Sequence, residues 1–213
     1  MIFKDRMEAG SLLAKELSAF ANQADAVIVG LARGGVVVAY AIANALHLPL
    51  DVSVPRKIGA PNNLEFAIGA VTEDGHSSID ESLVNQLNIS KSYLESTIAH
   101  ETELAKKRKS MFSLKKEILK EGKTVILVDD GLATGSTMKA AIRSAQLAKA
   151  KKIIVAIPVA PRDTLIEIKS LVDAVFCLYV PENFFAVGQF YQEFYQVDDE
   201  EVINILQNYP DNA

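Results

Sequence analysis

Two adjacent carboxylates, Asp129 and Asp130, end an apolar run, Val125–Val128, and open a loop of small residues: Gly131, Ala133, Thr134, Gly135, Ser136 and Thr137. Each type has a use at such a junction. Gly135 allows the backbone to approach a ligand closely, and Thr134, Ser136 and Thr137 offer hydroxyls to phosphate oxygens. A helix opening at Ser136 aims free N–H groups and the positive end of its dipole at the same place. The acid pair would repel a phosphate, so it suits a hydroxylated partner such as a ribose diol, or a magnesium ion. A sugar phosphate satisfies both halves. The Gly-Lys-Ser/Thr ending of a P-loop is absent.

A second candidate is Gly30-Leu31-Ala32-Arg33-Gly34-Gly35, again between an apolar run and a helix-forming stretch. Its adjacent glycines allow N–H groups to turn inward as an anion nest, and Arg33 adds a charge-assisted donor. Taken alone, the Gly-Gly pair is equally compatible with a plain tight turn. The third is Arg56-Lys57-Ile58-Gly59-Ala60-Pro61-Asn62-Asn63-Leu64-Glu65. It reads as a loop over Pro55–Leu64 with two cations at its root, either a solvated tip or a lid that excludes water.

The elements that must hold these loops alternate between strand and helix, the pattern of a parallel sheet covered on both faces. Strands are expected at Ala26–Leu31, Leu50–Val54, Phe66–Val71, Thr124–Val128, Ile153–Pro158 and Ala174–Tyr179. Asp5 caps a helix over Arg6–Ala21, with Leu12, Leu13, Leu17 and Phe20 as its apolar stripe. Further helices are expected at Val36–Leu46, Ser136–Lys149 and Arg162–Leu171. A long one starts at Ser90 or at a Ser92/Glu95 capping box and runs to about Leu119, and a last one runs from an Asp198/Glu201 box to about Gln207. With no repeat or linker, residues 1–213 read as one domain: a core over about 22–180, and a small hood from 1–21, 181–213 or both.

The 213 residues, 49% hydrophobic and 23% charged, suit one globular domain. A net charge of −5 argues against nucleic acid as the partner. No apolar run reaches a signal-peptide core or a membrane span, so a cytoplasmic location is expected. The lone Cys177 excludes an internal disulfide and reads as a small buried hydrophobe. His47, His76 and His100 have no metal-ligand spacing, so no zinc site is expected. Lys106-Lys107-Arg108-Lys109 reads as a solvated helix face, with a phosphate contact from it as the alternative.

Val128–Thr137 resembles the 5-phosphoribosyl-1-pyrophosphate (PRPP) signature of the type I phosphoribosyltransferases. That resemblance implies a Rossmann-like α/β fold: a central, mostly parallel sheet flanked by helices, with a small hood. It puts Asp129 and Asp130 on the ribose hydroxyls, and Gly131, Ala133, Thr134, Gly135, Ser136 and Thr137 around the 5-phosphate. The turn Arg33-Gly34-Gly35 looks like the family's pyrophosphate-binding turn. Arg56-Lys57-x-Gly59 is similar to the start of the catalytic loop of adenine phosphoribosyltransferases, which gives Arg56 and Lys57 to the leaving group and Glu65 to the base. Ala133 stands where hypoxanthine-guanine enzymes carry an aspartate base, which points away from a 6-oxopurine handled in their manner. Pro181–Tyr191 is similar, with gaps, to their purine-stacking segment; Phe185 and Val187 are its acceptor-binding candidates. The whole pattern looks like predicted phosphoribosyltransferases of unassigned substrate. The implied activity moves the 5-phosphoribosyl group from PRPP to a nitrogenous acceptor, such as a nucleobase, and releases pyrophosphate. Magnesium is expected to be bound mainly through PRPP rather than by protein ligands, and a homodimer is common in the family. The alternative is a non-catalytic PRPP sensor that regulates another process.

Overall fold

The computed structural model describes residues 1–112 and 120–210, without the side chain of Glu65. Five parallel strands form the central sheet: β1 (Ala26–Leu31), β2 (Leu50–Ser53), β6 (Thr124–Val128), β7 (Lys152–Val159) and β8 (Ala174–Tyr179), in the order β2-β1-β6-β7-β8. Strands β1 and β6 are continuous apolar runs buried along their whole length, as strands covered on both faces must be, and β2 is equally buried although it carries Asp51 and Ser53.

Alternate residues face opposite layers. Ala26, Ile28, Ile126 and Val128 pack with Leu13, Ile42, Val202 and Leu206, contributed by α1 (Arg6–Glu16), α2 (Gly34–Leu46) and α7 (Asp199–Asn208). Val27, Val29, Val125 and Leu127 pack with Met138, Ala141, Ile142, Leu165 and Ile168 of α5 (Ser136–Leu147) and α6 (Arg162–Lys169). Each Val, Leu, Ile or Met among them taken out of water contributes about 1.5–3 kcal/mol.

A second, antiparallel sheet joins β3 (Arg56–Ala60), β4 (Asn63–Val71) and β5 (Ser77–Ile79), followed by α3 (Glu81–Gln86) and α4 (Lys91–Met111). It corrects the expected loop over Pro55–Leu64. Ile58, Ala60, Ile68 and Val71 bury one face against Leu83, Ile89, Tyr93, Leu94 and Ile98. Tyr93 Oη also donates to Gly59 O at 2.9 Å. The cations therefore ride a hairpin, turned at Pro61-Asn62, rather than a loop.

Three helix boundaries are sharper than expected. Ser90, not Ser92, caps α4, accepting from Tyr93 N. The first helix ends at Glu16 and passes into a short 3₁₀ turn at Ser18–Phe20. The expected extension of α4 to Leu119 falls on residues 113–119, outside the described residues. At α7, Asp198 Oδ1 accepts from Glu201 N at 2.8 Å, but Glu201 accepts from Tyr195 Oη instead of closing a box.

Candidate active site

Strand register brings the two glycine-bearing turns together. Gly30 of β1 pairs with Val128 of β6, so the turn after β1 and the loop after β6 leave the sheet side by side. Because the chain goes outward from β1 to β2 and returns to the other side of β1 as β6, this is the switch point of the sheet, where a crevice opens between diverging connections. Contact is close: a β-carbon at Gly35 would lie 2.9 Å from Asp129 Cα, and one at Gly34 would collide with Asp130 Oδ2. A side chain at Gly34 would displace the Asp130 carboxylate, and one at Gly35 would push the turn away from the Val128–Asp129 backbone. The Ala32–Arg33 peptide between these glycines and β1 is cis.

The loop after β6 is held at several points. Leu132 N donates to Val159 O at 2.9 Å, and Thr164 Oγ1 donates to Ala133 O at 2.7 Å. Gly135, at φ +71°, is the N-cap of α5; Thr134 and Ser136 hydroxyls lie 3.1 Å apart across it. Ala133 and Thr134 are exposed, while Ser136 and Thr137 are half-buried. The arrangement offers a helix N-terminus and a fan of hydroxyls to an anion.

The acid pair is the electrostatic centre. Asp129 Oδ1 accepts from Asp130 N at 2.9 Å. Burial and the neighbouring Asp130 charge push the Asp129 carboxyl well above the usual carboxylate range. Burial also raises Asp130, against the opposing pull of Arg6. Arg6 is the residue that sequence reasoning missed. Its Nε lies 2.8 Å from Asp130 Oδ2, its Nη1 donates to Tyr195 O at 2.9 Å, and its guanidinium sits 4.0 Å over the Phe194 ring. The side chain is only 6% exposed. Tyr191 Oη, itself pushed up by burial and the acids, donates to Asp130 O at 2.7 Å. The N-terminal helix and the segment 191–197 thus close over the acids from one side.

The remaining candidates divide. Arg33 is half-buried beside Gly34, with Nη1 3.8 Å from Asp199 Oδ1. Val187 packs on the loop: its Cγ1 would be 2.6 Å from a β-carbon at Gly131. Phe185 is 87% exposed and faces solvent. Arg56 donates through Nε to Glu101 of α4, and Lys57 is exposed on the same strand. Glu65 falls on β4, with its side chain outside the described residues. Nor is the run Lys106–Lys109 only a solvated face. Lys109 Nζ meets Glu73 at 2.7 Å, and Arg108 Nε stands 3.4 Å from Asp199. Beside the loop, a hollow of about 820 Å³ opens past the ends of β7 and β8, lined by Pro161, Arg162, Ile166, Lys169, Val180 and Phe184. Among the described residues no group of three or more His, Cys, Asp or Glu side chains could hold a metal, and no helix is long and apolar enough to cross a membrane.

Fold and site together define an α/β protein with a ligand crevice at the switch point of its sheet. The chain belongs to the phosphoribosyl transferase domain family, whose pattern matches residues 4–194. Two curated Mycobacterium tuberculosis proteins, from strains CDC 1551 and H37Rv and each named provisionally as a phosphoribosyl transferase, are 37% identical over 206 residues, 96% of this chain and 46% of theirs. The chain therefore spans about half the length of the curated relatives it matches. The crystal structure of TT1426 from Thermus thermophilus is 39% identical, covering 97% of this chain and 98% of that one with a TM-score of 0.82. A purine phosphoribosyltransferase from Pyrococcus horikoshii shares the fold at 18% identity and a TM-score of 0.50, over 92% of this chain and 97% of its own. The resemblance drawn from Val128–Thr137 and the fold it implies are both met.

Proposed function

We propose that the protein is an enzyme that transfers the 5-phosphoribosyl group of PRPP to a nitrogenous acceptor. The C1–O bond to pyrophosphate breaks, a C1–N bond forms, and the acceptor nitrogen loses its proton. One observation carries the reading. A turn bearing Arg33-Gly34-Gly35 and a loop bearing Asp129–Thr137 leave neighbouring strands in direct contact, with the acid pair between them. That layout suits one ribose with an anion at each end: hydroxyls at Asp129 and Asp130, the 5-phosphate at the N-terminus of α5, and pyrophosphate at Arg33.

Catalysis in such a site rests on position and charge. Arg33 and the cations Arg56 and Lys57 stabilise charge on the leaving pyrophosphate, and the acid pair lies close to the positive character developing at C1. Magnesium bound with PRPP would add further positive charge beside the diphosphate. Arg6 takes Asp130 Oδ2 and the Asp130 amide takes Asp129 Oδ1, which leaves the second oxygen of each carboxylate for a ribose hydroxyl. Val187, in contact with the loop, and the neighbouring hollow at Pro161–Lys169 and Val180–Phe184 are where an acceptor would bind. A nucleobase fits such a half-apolar hollow.

Isothermal titration with PRPP and magnesium tests the donor, and pyrophosphate release across a panel of bases tests catalysis. PRPP binding without turnover of any acceptor would favour a sensor instead. Asp129→Ala together with Asp130→Ala is expected to abolish PRPP binding in a folded protein; unchanged affinity would refute the site.

A further inference from the structure

Two arginines from distant parts of the chain converge on one oxygen. Arg33 Nη1, in the turn after β1, lies 3.8 Å from Asp199 Oδ1, and Arg108 Nε, on α4, lies 3.4 Å from the same atom. Asp199 opens α7. Its Oδ1 is buried and makes no hydrogen bond among the described residues. Both separations exceed the roughly 2.7–2.9 Å of a charge-assisted hydrogen bond. The carboxylate balances charge there without meeting the geometry of either guanidinium, each of which presents a rigid fork of donors. A diphosphate carries more charge and enough oxygens to engage both forks at once. A hollow of about 330 Å³ opens on the Arg33 side, bounded by Arg6, Gly34 and Phe194–Val197, and Arg108 joins it through the shared contact with Asp199.

We propose that Arg33 and Arg108 form a two-arginine subsite for the diphosphate group, and that Asp199 holds its place until a ligand displaces it. The inference rests on PRPP being the donor. It makes Arg108 a direct ligand of the leaving group, and α7 an internal competitor for it.

Titration calorimetry on the full chain, with PRPP, inorganic pyrophosphate and ribose 5-phosphate in turn, each with magnesium, separates the claims. Arg108→Ala is expected to weaken PRPP and pyrophosphate by about tenfold to a hundredfold, while ribose 5-phosphate binding stays within about twofold. Arg108→Lys, which keeps charge but not the fork, is expected to fall between. Asp199→Asn is expected to raise pyrophosphate affinity several-fold; a fall would overturn the place-holder. PRPP binding unchanged in Arg108→Ala, or an equal loss for ribose 5-phosphate, overturns the subsite while leaving the donor intact. No PRPP binding by the natural protein overturns the donor reading and this one with it. Should Arg108→Ala fail to fold, the Lys and Asn variants decide the matter alone.

Discussion

Removing Arg6 puts the electrostatics of the site to a direct test. Arg6→Met keeps much of the side chain's apolar bulk and deletes its charge. Three contacts go with it: the ion pair to Asp130 at 2.8 Å, the donation to Tyr195 O at 2.9 Å, and the stacking 4.0 Å above Phe194. The pair is shielded, at 6% and 15% exposure, so water cannot replace the lost partner in full. Breaking a buried pair from one side costs about 3–5 kcal/mol, because the surviving charge is left uncompensated. For a domain of this size each kcal/mol moves Tm by about 2–4 °C, so a fall of roughly 6–20 °C is expected. The double variant Arg6→Met, Asp130→Asn removes both charges and should be markedly more stable than Arg6→Met alone. Urea unfolding of the four proteins in the cycle measures that coupling directly. A loss below about 1 kcal/mol in Arg6→Met, or strict additivity in the double variant, would refute the claim that Arg6 holds Asp130 in place.

Asp129→Asn is expected to stabilise the free protein while destroying PRPP binding, because its folded carboxyl titrates above the unfolded value of 3.8. The folded state then binds the proton more tightly, so acid favours it: the gap between Asp129→Asn and the natural protein should be full at alkaline pH and shrink as pH falls toward the unfolded value of 3.8, read by thermal melts. Gly135→Ala should cost about 1–2 kcal/mol and weaken PRPP binding, since φ is +71° and the new β-carbon would meet Thr164 Cγ2 at 2.9 Å; calorimetry and urea melts check both. Glu73→Ala should cost about 1–3 kcal/mol by urea melts, because it leaves the buried Val54 amide without its acceptor at 2.8 Å and removes one of the carboxylates, at 2.7 Å, that balance Lys109.

The chemistry was legible where it was local. Residues Thr124–Thr137 carry strand, acids, hydroxyls and helix start within one stretch, and Gly30–Gly35 repeats the strand-turn-helix pattern, so both turns and the parallel sheet follow from neighbours in sequence. Arg6 was not legible. It lies 124 positions from Asp130, and one arginine in the first turn of an amphipathic helix has no spacing that marks it. Arg108 was hidden in a run of four cations whose usual fate is solvent; only the packing of α7 singles it out. The hairpin was obscured by its own composition. Gly59, Pro61, Asn62 and Asn63 speak for a turn, and the strand arms are specified mainly by Ile58 and Ile68 burying against α4, a contact made far along the chain. The three-residue β5 and six-residue α3 are too short to show a period at all.

The antiparallel ladder beneath Arg56 and Lys57 has a thermodynamic consequence. A disordered lid must surrender backbone freedom every time it closes, at about 1–2 kcal/mol for each residue fixed. Here that freedom is already gone: the arms are paired, Tyr93 ties Gly59 to α4, and Arg56 is bound to Glu101. Any approach of these cations to a ligand is then a tilt of a stiff ribbon with its helix, not the freezing of a coil. The entropy of ordering has been settled during folding, and any such approach is spared it.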